Sequence, residues 1–159
     1  MSGSGEVLAH VSAAKAAEVC ERVTLGEEAK ALLKIEMTPK QYLTRLIDGK
    51  QPLDAIRFLA YALPKREAVW WACLCARKVA GPEVPEEQTA ALRGAEAWVV
   101  DPTEENRRAA MPLAEAAGLG TPAGCAAMAA FWSGGSLAPP NVPAVPPADH
   151  LTAHGAAGS

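Results

Sequence analysis

The stretch LPKREAVWWACLCAR, Leu63 to Arg77, decides how this chain is read. Pro64 suits a first helical position, where its missing N–H is not needed and its fixed φ already fits. Glu67 in the first turn and Arg77 with Lys78 in the last carry the charges that a helix dipole favours at each end. The pattern predicts a helix from Pro64 to Val79. Val69, Trp70, Cys73, Leu74 and Ala76 recur at three- and four-residue spacing, and Trp71 and Cys75 widen the apolar surface sideways. That breadth predicts a central helix contacted from several sides.

Upstream, the first eleven residues read as a flexible lead. Ser12 to Val23 then predicts a helix with Ala13, Cys20 and Val23 on one face. Thr24-Leu25-Gly26-Glu27 has the form of a capping box and predicts a second helix to about Leu33, burying Ala29, Leu32 and Leu33. Thr38-Pro39-Lys40-Gln41 repeats the device, with Tyr42, Leu43, Leu46 and Ile47 lining a third helix that Gly49 stops. From Pro52, the residues Leu53, Ile56, Leu59, Ala60 and Leu63 mark a fourth.

Downstream, Gly81 to Pro85 forms a rigid turn before a helix from about Glu86 to Val100, with Leu92, Ala95, Trp98 and Val99 inward. Asp101-Pro102-Thr103-Glu104 starts the next helix. Pro112 should kink or break it near Ala110 to Met111, because proline removes a hydrogen bond and clashes with the preceding turn. Thr121-Pro122 caps a segment, Ala123 to Trp132, that is apolar on every side. Residues 134–159 read as a Pro/Gly-rich tail, extended from Ser133 to Pro147. Asp149 to Ala153 looks like a helix start that is cut short, so a further helix is expected beyond the tail.

Composition supports one fold class. The 159 residues are half apolar but only 5% aromatic, and β-branched residues are few. Alanine-rich chains of this kind favour helix. The formal net charge of -3 comes from intermixed acids and bases, with no basic stripe to suggest nucleic acid. Ala116 to Ala148 has no charge, yet prolines and glycines cut it into pieces too short to span a bilayer. The start carries no signal-peptide pattern, which predicts a cytoplasmic protein.

Residue chemistry offers few candidates. Arg66 and Glu67 beside Trp70 and Trp71 form the most site-like cluster: a cation and stacking aromatics resemble an interface hot spot. The alternative pairs Arg66 and Glu67 with charges such as Glu96 or Arg107 and leaves the tryptophans in the core. Cys73 and Cys75 are not a CxxC pair, because two residues on a helix set thiols roughly 200° apart. With Cys20 and Cys125 they read as small core residues. His150 and His154 have i,i+4 spacing but no third ligand nearby, so no metal site is assigned. Glu104 and Glu105 read as a solvated helix start. No catalytic residue and no cofactor are assigned.

A resemblance adds to this. The runs ALPKREAVWWACLCAR (Ala62 to Arg77), AEAWVVDPTEENRRAA (Ala95 to Ala110) and GLGTPAGCAAMAAFWSGGSLAPP (Gly118 to Pro140) resemble a family of uncharacterised bacterial helical proteins, with LPxREAVWWAC as its core. The likeness spans roughly Ala13 to Pro147. Genes of that family often lie near type VI secretion components, which implies an accessory role as adaptor or chaperone for a secreted effector. Members usually continue into another alanine-rich segment, and this chain departs from them there and at Pro112.

The sequence therefore predicts an all-α protein of about seven helices, an irregular orthogonal bundle or short superhelix. Residues 12–133 form the helical domain. The expected function is non-enzymatic binding of a protein partner, with Arg66, Glu67, Trp70 and Trp71 as the recognition cluster. Two alternatives remain: an immunity protein neutralising a toxin, and an enzyme using Glu67 or a cysteine. The first predicts an exposed acidic or aromatic patch, and the second a pocket holding Glu67.

Overall fold

The computed structural model describes residues 11–158, so the lead expected over residues 1–11 lies almost wholly outside the described residues. Nine α-helices and no strand occur among the described residues, which makes the chain all-α as the sequence predicts. They fall into two compact units, Met1–Pro64 and Lys65–Ser159. The division runs through the quoted stretch. Leu63 is extended (φ -78°, ψ 144°), a conformation that the following proline enforces, so the helix before it cannot run on.

The first unit holds α1 (Ala16–Cys20), α2 (Glu27–Ala31), α3 (Pro39–Asp48) and α4 (Pro52–Ala62). Its core gathers Val19, Leu25, Ala29, Tyr42, Leu46 and Phe58. Tyr42 and Phe58 meet edge to face, with ring centroids 4.9 Å apart and planes at 84°. The Tyr42 hydroxyl donates to the buried Ala29 carbonyl at 2.7 Å. The capping box at Thr38 forms in full: Gln41 N–H donates to Thr38 Oγ1 and Thr38 N–H to Gln41 Oε1.

Several local expectations are corrected here. α1 is five residues long rather than twelve, because Lys15 is extended and the Ala16 N–H donates to Met37 O instead. The box expected at Thr24 does not form. α2 begins after Gly26, whose N–H donates to the Asp54 carboxylate on α4, so the cap comes from a distant residue. That contact and the Tyr42–Phe58 pair fix the rotation of α4. Asp54, Ala55 and Phe58 face inward, while Leu53 and Ile56, expected in the core, are exposed; Ile47 on α3 is exposed as well. α3 ends at Gly49, but Lys50 (φ 56°) takes the left-handed conformation. A Cβ on Gly49 would stand 2.8 Å from Leu32 Cδ1, so the end of that side chain would have to shift.

The second unit holds α5 (Lys65–Val79), α6 (Glu86–Val100), α7 (Glu104–Ala117), α8 (Pro122–Phe131) and α9 (Leu151–Gly158). α8, not α5, is the central helix. It packs against all four of the others, and eight of its ten residues are buried. The physical reason is size. Apart from Met128 and Phe131 its buried residues are alanine and glycine, so neighbours can approach closely and no charge has to be accommodated.

The same close packing decides which side of α5 turns inward. Ala68, Val69, Ala72, Cys73 and Ala76 are buried, while Trp70 and Leu74, which share the same apolar spacing, are exposed. α6 keeps its predicted bounds, with Leu92, Ala95 and Trp98 buried and Val99 half-buried. α7 runs unbroken through Pro112, so the expected break does not occur. Pro112 lies on the exposed side, where a carbonyl deprived of its partner can face water.

Residues 133–150 contain no helix or strand and are fastened by hydrogen bonds. Leu137 N–H donates to Val145 O at 2.7 Å, and Ser136 Oγ accepts from the N–H groups of Ala138 and Val145. The chain then forms α9, with Thr152, Gly155 and Ala156 buried.

Candidate functional site

The recognition cluster expected on α5 is spread over two sides of that helix. Trp70 is 40% exposed and Leu74 44%, whereas Trp71 is half-buried. Arg66, Trp70, Leu74 and Arg77 recur at three- and four-residue spacing, which makes one outward stripe. Its two ends are tied to α6. Arg66 donates from Nε to Val99 O at 2.6 Å and from Nη2 to Val100 O at 3.3 Å, satisfying carbonyls that the end of α6 leaves without helical partners. Arg77 makes a two-pronged contact with Glu96, 2.7 Å from Nη2 to Oε2. Glu96, weighed from sequence as a partner for Arg66, pairs with Arg77 instead, and Arg66 takes backbone carbonyls. Glu67, on the next row of the helix, is half-buried.

A second cluster went unrecognised in the sequence and is the most tightly built part of this unit. Arg107 on α7 is 3% exposed. Its Nε and Nη2 grip the two oxygens of Glu104 at 2.7 and 2.8 Å. Nη1 donates to Phe131 O at 2.6 Å, and Nη2 also to Ser136 O at 3.0 Å. The guanidinium lies 4.8 Å over the Phe131 ring. Gly135 (φ +63°) covers it on another side, where a Cβ would stand 2.7 Å from Nε and Nη2. Arg108 extends the network, donating to Glu104 Oε1 at 2.8 Å and to Ala138 O at 3.0 Å.

This cluster explains how a proline- and glycine-rich loop is held without a core of its own: two arginines of α7 satisfy its carbonyls. The signal available in the sequence was the Glu104-x-x-Arg107-Arg108 spacing, which sets both bases on the acid's side of a helix. The Arg107 and Arg108 hydrogen bonds hold the Glu104 carboxyl well below the usual range, at about 2, even though its side chain is 55% exposed.

The remaining candidates carry little chemistry. Burial raises all four thiols, Cys73 to about 12, with the Glu96 charge adding to the effect. A nucleophilic cysteine needs the opposite shift. His150 and His154 are both exposed, and no group of three or more metal-ligating side chains occurs among the described residues. A half-open cleft of about 200 Å³ lies between the end of α5, the start of α6 and the start of α8, lined by Val79, Val84, Pro85, Leu92 and Ala123 with Glu83 and Gln88. Glu67 does not line it. No described helix is long and apolar enough to cross a membrane.

Comparison with known families gives one match, over residues 42–159, to a family model described as a family of unknown function. The chain belongs to DUF6931. The DUF6931 match takes in α4 and the whole second unit, including both arginine clusters and α9, and leaves out α1 and α2. No curated protein and no solved structure matches the chain.

Proposed function

We propose that this DUF6931 protein is a non-enzymatic binding protein that docks a protein partner on the outward stripe of α5. The observation that carries the reading is the exposure of Trp70 and Leu74 one turn apart on a helix whose other side is fully packed. A large aromatic left in water beside fixed arginines has the composition of an interface centre. Arg66 and Arg77 are held by α6, so little side-chain entropy would be lost there on binding. The finer reading, an adaptor or chaperone serving a type VI secretion effector in the bacterial cytoplasm, rests on the sequence resemblance alone.

The test is affinity capture from the native host with wild-type protein beside Trp70→Ala and Leu74→Ala variants. Recovery of one secreted effector or spike component with wild type, and its loss with both variants, is the expected result. Arg66→Ala is a poor control because it also uncaps α6. Capture that is equal with wild type and variants refutes the α5 stripe as the docking surface. Recovery of a single toxin would instead favour the immunity reading, which the exposed aromatic also suits.

A further inference from the structure

We infer that α9 is a displaceable strap over α8, which lifts as a unit while the loop before it stays in place. The reasoning starts with what holds α9. Its inward face, packed on α8 and α5, consists of Thr152, Gly155 and Ala156, all small side chains. Thr152 is 1% exposed, and its hydroxyl has no hydrogen-bond partner among the described residues. Docking therefore removes that hydroxyl from water without replacing the bond it had there, and lifting restores it. The ion pair between Lys65 and Asp149 at the start of the strap spans 3.7 Å with both groups well exposed, a geometry that contributes little.

The loop behaves differently. Residues 136–145 are closed on themselves through Ser136 Oγ and the Leu137–Val145 bond, and Arg107 and Arg108 fasten Ser136 and Ala138 to α7. Firm anchorage thus ends at Val145, and Pro146-Pro147 follows as a stiff hinge. The fit beneath the strap is nevertheless close. A Cβ on Gly155 would lie 3.1 Å from the Ala129 backbone, and one on Gly158 would lie 3.0 Å from Cys125 Sγ. Cys125 and Ala129 are four residues apart on α8, so lifting α9 bares one apolar face of the central helix. Segments with few buried apolar contacts and a weak anchor open at lower free energy than the fold as a whole.

Hydrogen exchange makes the strap measurable. Amide exchange read by mass spectrometry on peptides from α9 and from α6 separates opening of α9 from unfolding of the unit, because α9 packs chiefly on α8 and α5. Thr152→Val keeps the shape and removes the stranded hydroxyl, so exchange of the α9 amides should slow roughly tenfold. Gly155→Leu cannot approach Ala129 as closely, so it should quicken α9 exchange by about tenfold or more. The α6 amides should keep their wild-type rate in both. The inference is overturned if Thr152→Val leaves the α9 rate unchanged, or if α6 changes in step with α9. The Thr152→Val arm does so even where Gly155→Leu fails to fold.

Discussion

Arg107→Met tests the claim that one buried guanidinium holds the second unit's loop. The substitution keeps length and removes all four hydrogen bonds. Glu104, more than half exposed, returns to water at little cost. The carbonyls of Phe131 and Ser136 do not, and each stranded acceptor costs about 1–3 kcal/mol. Some of this is offset by the apolar methionine now packed on the Phe131 ring. Two stranded acceptors less that offset make a loss of about 2–4 kcal/mol the expected result. All four tryptophans, Trp70, Trp71, Trp98 and Trp132, lie in residues 65–159, so their fluorescence during urea unfolding reports this unit alone. Arg107→Lys should lose at least about 2 kcal/mol, because a lysine cannot grip both Glu104 oxygens and both carbonyls at once. A midpoint for Arg107→Met that stays within about 0.5 kcal/mol of wild type, the range of ordinary surface changes, would refute the reasoning.

Three further outcomes are expected. Trp98→Ala, at a residue only 6% exposed, should cost about 3–5 kcal/mol, whereas Trp70→Ala should change the urea midpoint by less than about 1 kcal/mol. Glu104 has a folded-state pKa depressed to about 2, so the stability it contributes is fully present above the ordinary carboxylate value of about 4.5 and is lost as pH falls through about 2. Acid unfolding of the 65–159 unit should therefore shift to higher pH in Glu104→Gln, and an unshifted acid midpoint would contradict the assignment. Tyr42→Phe should cost the first unit about 0.5–1.5 kcal/mol by removing its hydrogen bond to the Ala29 carbonyl, which keeps the Leu32 N–H, read by helical circular dichroism alongside unchanged tryptophan fluorescence.

Helix positions were legible from the chain because their signals are local. Proline at a first position, threonine with glutamine three residues on, and apolar spacing placed α3, α5, α6 and α8 to within a residue or so. Thr121 caps α8 where the sequence puts it, accepting from the Gly124 N–H, and within the expected start of α7 it is Thr103 that caps, accepting from the Asn106 N–H. Which side of each helix turns inward was less legible. Periodicity alone groups Trp70 and Leu74 with Val69 and Cys73, but α8 offers a surface of alanines, and alanines pack more closely against it than tryptophan can. The buried side of α5 became the small one.

The sequence by itself determined that the protein is helical, where most helices start, and that α8 has to be covered on all sides, since it carries no charge to present to water. Tertiary structure alone decided the rest. α2 is capped by a carboxylate 28 residues away, and Arg66 spends its donors on the end of α6. The proline-rich loop is ordered by Arg107, a residue that reads in the sequence as one of several surface charges. Each of these rests on a pairing between distant segments, and such partners become visible only when packing has removed the alternatives that water offers.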